Sequence, residues 1–302
     1  MVLDLIERRL SESGFSFVIE RTLIPSDDDS TLFVCSGMQL VKERFRARDG
    51  GRHASLQSCL RMDDLEAVGD GEHLTYFEMV GSFSFATGEY EMAVQLWDGI
   101  MRELRLPVTH VTVHPDRPDH RRMWERRGRR VDLDPACVWS DGDVGGHCCE
   151  VFCGDVEIGT LVNPVPDLTD VGFGWERLHQ VLEGRATVFE TSLFAQGCSQ
   201  VVADHLRALE RLVENGVRPG SRGREYVCRK LARRLLREWT GVPEVSPTLA
   251  AVLEEESERR RRVLRLGRRL VSNPRWQRMP PEWWWDTHGI LPEELRDLKP
   301  SC

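Results

Sequence analysis

The residues of this chain best suited to chemistry on an anion are two arginines, an aspartate, and a carboxylate with a hydroxyl nearby. Arg61 ends Cys59-Leu60-Arg61, where an extended stretch gives way to a polar loop. Arg177 stands in DVGFGWERL (170–178), after two glycines that let a strand run close to a ligand, at the point where strand becomes helix. Glu157 and Thr160 are three positions apart and offer oxygen donors. Guanidinium is planar and permanently charged, which suits phosphate. Each feature alone is commonplace: glycine pairs often precede helices, and arginines often end strands.

These residues need elements to hold them. Residues 1–15 have the apolar spacing of an amphipathic helix that stops near Gly14, and 89–104 repeat it before Pro107. Residues 31–38 and 53–62 have extended character, and 73–85, 108–113, 151–162 and 170–174 alternate or cluster apolar residues as strands do. Residues 175–182 start a helix that Gly184 stops. From about 196 the pattern becomes helical over 199–214, 222–239 and 247–271. This predicts an α+β protein: a mostly antiparallel sheet flanked by helices over residues 1–195, then a helical domain over 196–302. The run Arg259 to Arg262 reads as a solvated helix face.

Composition narrows the function classes. Apolar residues are 40% and charged residues 30% of the 302, enough for a sizeable core. Lys+Arg 41 against Asp+Glu 49 leaves a net charge of −8, unlike a protein that coats nucleic acid. The charge is uneven, net −14 over residues 1–200 and +6 over 201–302. No apolar stretch is long enough to span a membrane, and the N-terminus lacks the pattern of a signal peptide. Nine cysteines without such a leader predict reduced thiols in the cytoplasm. The cluster His147, Cys148, Cys149 and Cys153 lacks the spacing of a zinc site, and buried thiols are expected there.

In order along the chain, the segments TLFVCSGMQLVK (31–42), SCLRMDDLEAVG (58–69), HLTYFEMVGSFSF (73–85), DVGFGWERL (170–178) and VADHLRALERLVENGVRP (202–219) are specific as a set. The series resembles the three signature motifs of the class II aminoacyl-tRNA synthetases, and within them the alanyl-tRNA synthetase family. WDTHG (285–289) matches a short element near the end of that family's helical domain. The resemblance covers nearly the whole chain but not the family's editing and C-terminal domains, so a stand-alone catalytic core with its helical domain is expected.

The resemblance implies a chemistry: ATP and L-alanine, or a similar small amino acid, form an aminoacyl-adenylate. The α-phosphate gains charge in the transition state and needs fixed cations. Arg61 matches the arginine that grips the α-phosphate. Arg177 matches the one near adenine and the γ-phosphate. Both are expected as buried cations facing an anion pocket. Phe77 would stack on adenine, with Met79 and Gly174 completing the ATP site. Glu157, Thr160 and Glu150 fall where the family binds Mg²⁺. Asp170 matches the aspartate that holds the substrate ammonium, and Trp139 the wall that admits only a small side chain. Met38, Thr160, Val162 and Gly172 complete that pocket. The first motif in this class often lies at a dimer interface, which implies a homodimer.

Departures from the family shape the expected function. Thr160 replaces an asparagine, Gly159 a tryptophan and Ser36 an alanine, so serine and glycine compete with alanine as substrates, since one methyl or hydroxyl discriminates by only about 1–3 kcal/mol. The loop between Arg61 and Asp64 is about four residues shorter. Gly223 stands where the family carries an asparagine that reads the tRNA acceptor stem, while its partner aspartate persists as Asp286. The first expectation is a ligase that passes the amino acid to a small, nucleoside-like acceptor in a tailoring pathway without tRNA. The alternatives are a truncated alanyl-tRNA synthetase that charges tRNA and a synthetase-like regulator without catalysis.

Overall fold

The computed structural model describes residues 1–25, 31–165, 167–239, 244–273, 276 and 278–298. The chain divides into two units, Met1–Gln196 and Gly197–Cys302. The acidic loop 26–30 lies outside the described residues.

The first unit is a nine-stranded sheet with helices. Its strands are β1 (Ser16–Glu20), β2 (Arg52–Leu60), β3 (Tyr76–Ser84), β4 (His110–Val113), β5 (Val131–Leu133), β6 (Val138–Asp141), β7 (Val144–Cys153), β8 (Val156–Pro164) and β9 (Thr169–Gly174). They run in the order β1-β2-β3-β9-β8-β7-β4-β5, with β6 paired to β7. The pairs β1/β2 and β4/β5 are parallel and the rest antiparallel. The helices are α1 (Val2–Glu12), α2 (Lys42–Ala47), α3 (Tyr90–Glu103), α4 (Pro118–Glu125) and α5 (Trp175–Leu182). In α1, Ile6 and Leu10 lie one turn apart and are buried, and the chain leaves the helix through Gly14 at φ +82.

One face of the sheet carries the core. Val80, Val151, Ile158, Leu161, Val171 and Phe173 pack there with the α3 residues Val94, Trp97 and Ile100. Trp97 stacks on Phe173 at 4.4 Å and donates from its indole nitrogen to Ser82 Oγ at 2.8 Å. Because strand side chains alternate, the neighbours of these apolar residues point to the other face. That face is where the polar candidates lie.

Residues 31–38 do not form a strand, contrary to their extended character. The buried Gln39 holds them instead: its Oε1 accepts from the Cys35 backbone N–H at 2.8 Å and its Nε2 donates to Thr31 Oγ1 at 2.7 Å. A side-chain amide here takes over part of what a ladder would have done. Sequence patterning missed β5, β6, which carries Trp139, and the first half of β7; β5 and β6 are short segments without clear alternation.

The second unit is helical: α6 (Gln200–Glu214), α7 (Gly223–Glu238), α8 (Pro247–Leu270), α9 (Pro281–His288) and α10 (Pro292–Leu298). Ser199 caps α6 by accepting from the Val202 N–H, and Ser246 caps α8 by accepting from that of Leu249. Val271, Trp284, Ile290 and Leu295 build a small core. Within it, Arg233 on α7 is 1% exposed and pairs with the equally buried Glu256 on α8 at 2.5 Å. Arg260, from the arginine run, turns inward to the buried Glu294 at 2.5 Å, while Arg261 and Arg262 stay exposed. The run is therefore a solvated face with two members, Arg259 and Arg260, drawn into ion pairs.

Candidate functional site

The face of the sheet opposite the core lines a cavity of about 390 Å³ within the first unit. It gathers every side chain expected at the site: Arg61, Phe77, Met79, Gly174, Arg177, Asp170, Trp139, Thr160, Val162, Gly172, Met38, Glu157 and Glu150. Strand register explains the convergence. Cys148, Val162, Asp170 and Phe83 form one row across β7, β8, β9 and β3; Glu150, Thr160, Gly172 and Gly81 form the next. The glycines keep the floor low. A Cβ at Gly81 would lie 2.1 Å from the Val171 carbonyl oxygen, and one at Gly172 would lie 2.7 Å from Met79 Cε.

The arginines stand at the open side. Arg61 donates from Nε to the Cys35 carbonyl at 2.8 Å and lies over the Phe77 ring at 4.8 Å. Its backbone N–H donates to Thr75 O at 2.9 Å, next to the Leu60 N–H donating to Val34 O at 2.8 Å. Arg177, on the first turn of α5, donates to Glu157 O at 2.9 Å and to its carboxylate at 3.3 Å. Both side chains are exposed, not buried as expected. Burying an unpaired guanidinium is costly, and rim positions leave each charge in contact with water.

Glu157 and Thr160 meet despite their odd spacing. The register between β7 and β8 shifts at Val151/Phe152, so that Ile158 has no partner across the ladder and turns into the core. This bulge brings Glu157 round to the side of Thr160, whose hydroxyl donates to Glu157 Oε1 at 3.0 Å. Glu150, on β7, leans the other way, and its Oε2 accepts from Thr112 Oγ1 at 3.3 Å. Burial and the neighbouring Glu157 carboxylate raise the Glu150 carboxyl above its ordinary value.

Asp170 is 7% exposed, and no described residue donates to its carboxylate. Burial, with a smaller push from Asp141, raises it to about 7. Trp139 packs on both Met38–Phe83 and Cys137–Cys148–Val162, and so walls the same end of the cavity. Gly159, read by resemblance as replacing a tryptophan, is pinned beneath Phe173. A Cβ there would lie 2.4 Å from that ring, so the space of a large side chain is already taken.

Sequence reading missed His73, Glu72 and Asp64, which also line the cavity. Asp70 braces their loop, accepting from the backbone N–H groups of Glu72 at 2.9 Å and His73 at 3.0 Å and from the His73 ring at 2.6 Å. Those bonds hold the Asp70 carboxyl down at about 2, and Asp70 in turn raises His73. An aspartate three residues before a histidine was the available signal. Glu176 was missed too. It is 1% exposed and accepts the Glu78 N–H at 3.1 Å, tying α5 to the strand that carries Phe77.

The expected thiol cluster does not converge. Cys149 lies in the core beside Tyr90 and His120, Cys153 joins the same core, His147 stacks near His114, and Cys148 points to the cavity. Alternation along β7 separates them, and the three thiols are buried.

A mostly antiparallel sheet with a cavity on one face, and an arginine where its last strand turns into a helix, is the arrangement of the class II synthetases. The model of the family tRNA synthetases class II (A) matches residues 10–160 and 161–255, and the chain belongs to that family. It is 31% identical to the alanine–tRNA ligase of Desulfitobacterium hafniense (strain Y51) over 78% of this chain and 34% of that one. It is 33% identical to that of Halorhodospira halophila over 75% of this chain and 34% of that one. The chain thus spans about a third of the length of the curated relatives it matches. Among solved structures, aspartyl-tRNA synthetase from Entamoeba histolytica aligns at 14% identity with a TM-score of 0.41, over 62% of this chain and 55% of that one. No described helix is long and apolar enough to cross a membrane.

Proposed function

We propose that the cavity condenses ATP with L-alanine, or an amino acid of similar size, to an aminoacyl-adenylate and pyrophosphate. The observation that carries this is the buried, unpartnered Asp170 on the same face as two exposed arginines. A carboxylate without a donor among the described residues is suited to an ammonium group, and exposed guanidinium groups are suited to phosphate. Asp170 holds the substrate amine, while Trp139, Met38, Val162 and Gly172 limit its side chain. Phe77 and Arg177 take the two faces of adenine, beside Met79 and Gly174. Arg61 neutralises charge gathering on the α-phosphate as the carboxylate of the amino acid attacks it. Glu157 and Thr160, already bonded to each other, fit an Mg²⁺ ion, which when bound would screen the phosphates. Arg177 must then loosen its hold on Glu157.

For the second half-reaction we propose a small, nucleoside-like acceptor rather than tRNA. Gly223, which opens α7, offers no side chain where a base-reading amide would be needed. A second reading, aminoacylation of tRNA, draws support from the helical unit, where Arg229 and Arg259 line a pocket together with Asp286. Alanine-dependent exchange of pyrophosphate into ATP tests the activation step, and its absence with all small amino acids would refute the reading. A gel shift with tRNA across a salt series then chooses the acceptor: a steep loss of binding with salt favours tRNA.

A further inference from the structure

One group of metal-competent side chains is not used by the chemistry proposed above, although the resemblance implied Glu150 beside Glu157 and Thr160. Cys137, just before β6, and Cys148, on β7, are neighbours across that pair, the Cys148 N–H donating to Cys137 O at 3.0 Å. Glu150 follows Cys148 by two residues and shares its face. The two sulfurs and a Glu150 carboxylate oxygen all lie within 4.8 Å of one another. Thr112 on β4 orients the group: its Oγ1 is 3.1 Å from Cys137 Sγ and donates to Glu150 Oε2 at 3.3 Å. Such outer contacts fix ligand direction in metal sites.

Three further facts point to a cation. Cys137 is fully buried and Cys148 is 2% exposed, so neither thiol is there to meet solvent. Among the described residues no cationic side chain pairs with Glu150, whereas the neighbouring Glu157 has Arg177. Cys148 and Glu150 also line the cavity, so a metal held from behind by these groups keeps a free position facing it. Two soft sulfurs with one carboxylate select Zn²⁺ over Mg²⁺ or Ca²⁺, and three protein ligands with an open fourth position is a common form for a zinc site that meets a ligand.

We propose that Cys137, Cys148 and Glu150 bind a zinc-class divalent cation at the wall of the cavity, with its fourth position open to the cavity. Binding releases the two thiol protons, and the resulting thiolates coordinate the metal. This site differs from the Glu157–Thr160 pair in both ligand chemistry and metal, and it stands whether or not the adenylate reading holds.

The test uses the full chain, purified under reducing conditions and titrated with Co²⁺ as a spectroscopic stand-in for Zn²⁺. The expected result is about one Co²⁺ per chain with a thiolate-to-cobalt charge-transfer band. Cys137→Ser and Cys148→Ser abolish the band, Glu150→Gln weakens binding by about 10–100-fold, and Cys149→Ser and Cys153→Ser leave it intact. Circular dichroism establishes that each variant is folded, and Glu150→Gln carries the test should either serine variant unfold. No band in the wild-type chain overturns the proposal. So does a band that survives Cys137→Ser with Cys148→Ser, or a Cys137–Cys148 disulfide whose reduction restores no metal binding.

Discussion

The core of the helical unit and the cavity of the sheet unit treat charge in opposite ways. In the helical unit the buried charges satisfy one another: Arg233 meets Glu256, Arg260 meets Glu294, and Arg259 reaches Glu256 at 3.3 Å. In the sheet unit the cavity leaves two charges unspent, with Asp170 buried without a donor among the described residues and Arg61 exposed at the rim. Low dielectric makes an unpaired buried charge costly, so it persists where a ligand completes it. Charges that cancel within the chain fix helices, and charges that do not cancel mark where something binds. Among the described cavity residues, Arg177 and His73 break this division, since Glu157 holds the first and Asp70 the second.

The comparison can be broken most sharply at the rim. Arg61→Ala and Arg177→Ala should each lower alanine-dependent pyrophosphate exchange by about 10²–10³-fold. Neither should shift thermal unfolding by more than about 0.5 kcal/mol, since both side chains are exposed. Full exchange in either variant would remove that arginine from the phosphate site. In the helical unit the pattern should reverse. Arg233→Met should cost about 3 kcal/mol of stability in denaturant unfolding, near the lower end for a broken buried pair because Arg259 and Arg260 still reach the carboxylates. Replacing Arg233, Glu256 and Glu294 together by apolar residues should recover most of that loss. A triple variant no more stable than the single one would mean that the ion pairs stabilise beyond their mutual neutralisation.

Asp170 gives a smaller, pH-dependent effect. Its carboxyl titrates near 7 in the folded chain, well above the ordinary value. Both states are protonated at low pH, so its unfavourable contribution to folding grows as pH rises from about 4 to about 7 and then levels off. Relative to Asp170→Asn, the wild-type unfolding midpoint should therefore fall over that window. On the proposed reading the substrate ammonium pairs with the ionised form, so the KM for alanine should rise about tenfold per unit as pH drops below 7, while the KM for ATP stays level. A flat profile for alanine would show that the carboxylate does not meet the ammonium group. Smallest of all, Gly223→Asn should leave pyrophosphate exchange unchanged. Any rise in tRNA affinity in that variant would place its position at an acceptor stem and favour the second reading.

Much of this was legible before any coordinates. Strand alternation in DVGFGWERL already put Asp170, Gly172 and Gly174 on one face and Val171 and Phe173 on the other, because strand side chains repeat every two residues. The helix over 175–182 and the strand run before it were readable from local pattern alone. The loop around Cys35 was not, since it is held by Gln39, and no periodicity encodes a hydrogen bond that replaces a ladder. Nor was the exposure of the arginines, because residue type fixes a charge but not its depth.

What the sequence determined by itself is the set of chemical groups and which side of a regular strand each one takes. What only the tertiary structure decided is where regularity fails and where distant segments meet. Glu157 and Thr160, three residues apart, would face opposite ways on an ideal strand. One unpaired residue opposite Val151 and Phe152 brings them together. Cys137 and Glu150 likewise meet only because β6 folds back on β7 and Thr112 arrives from β4. Local sterics set the period of a strand, but bulges and pairings answer to the packing of the whole sheet.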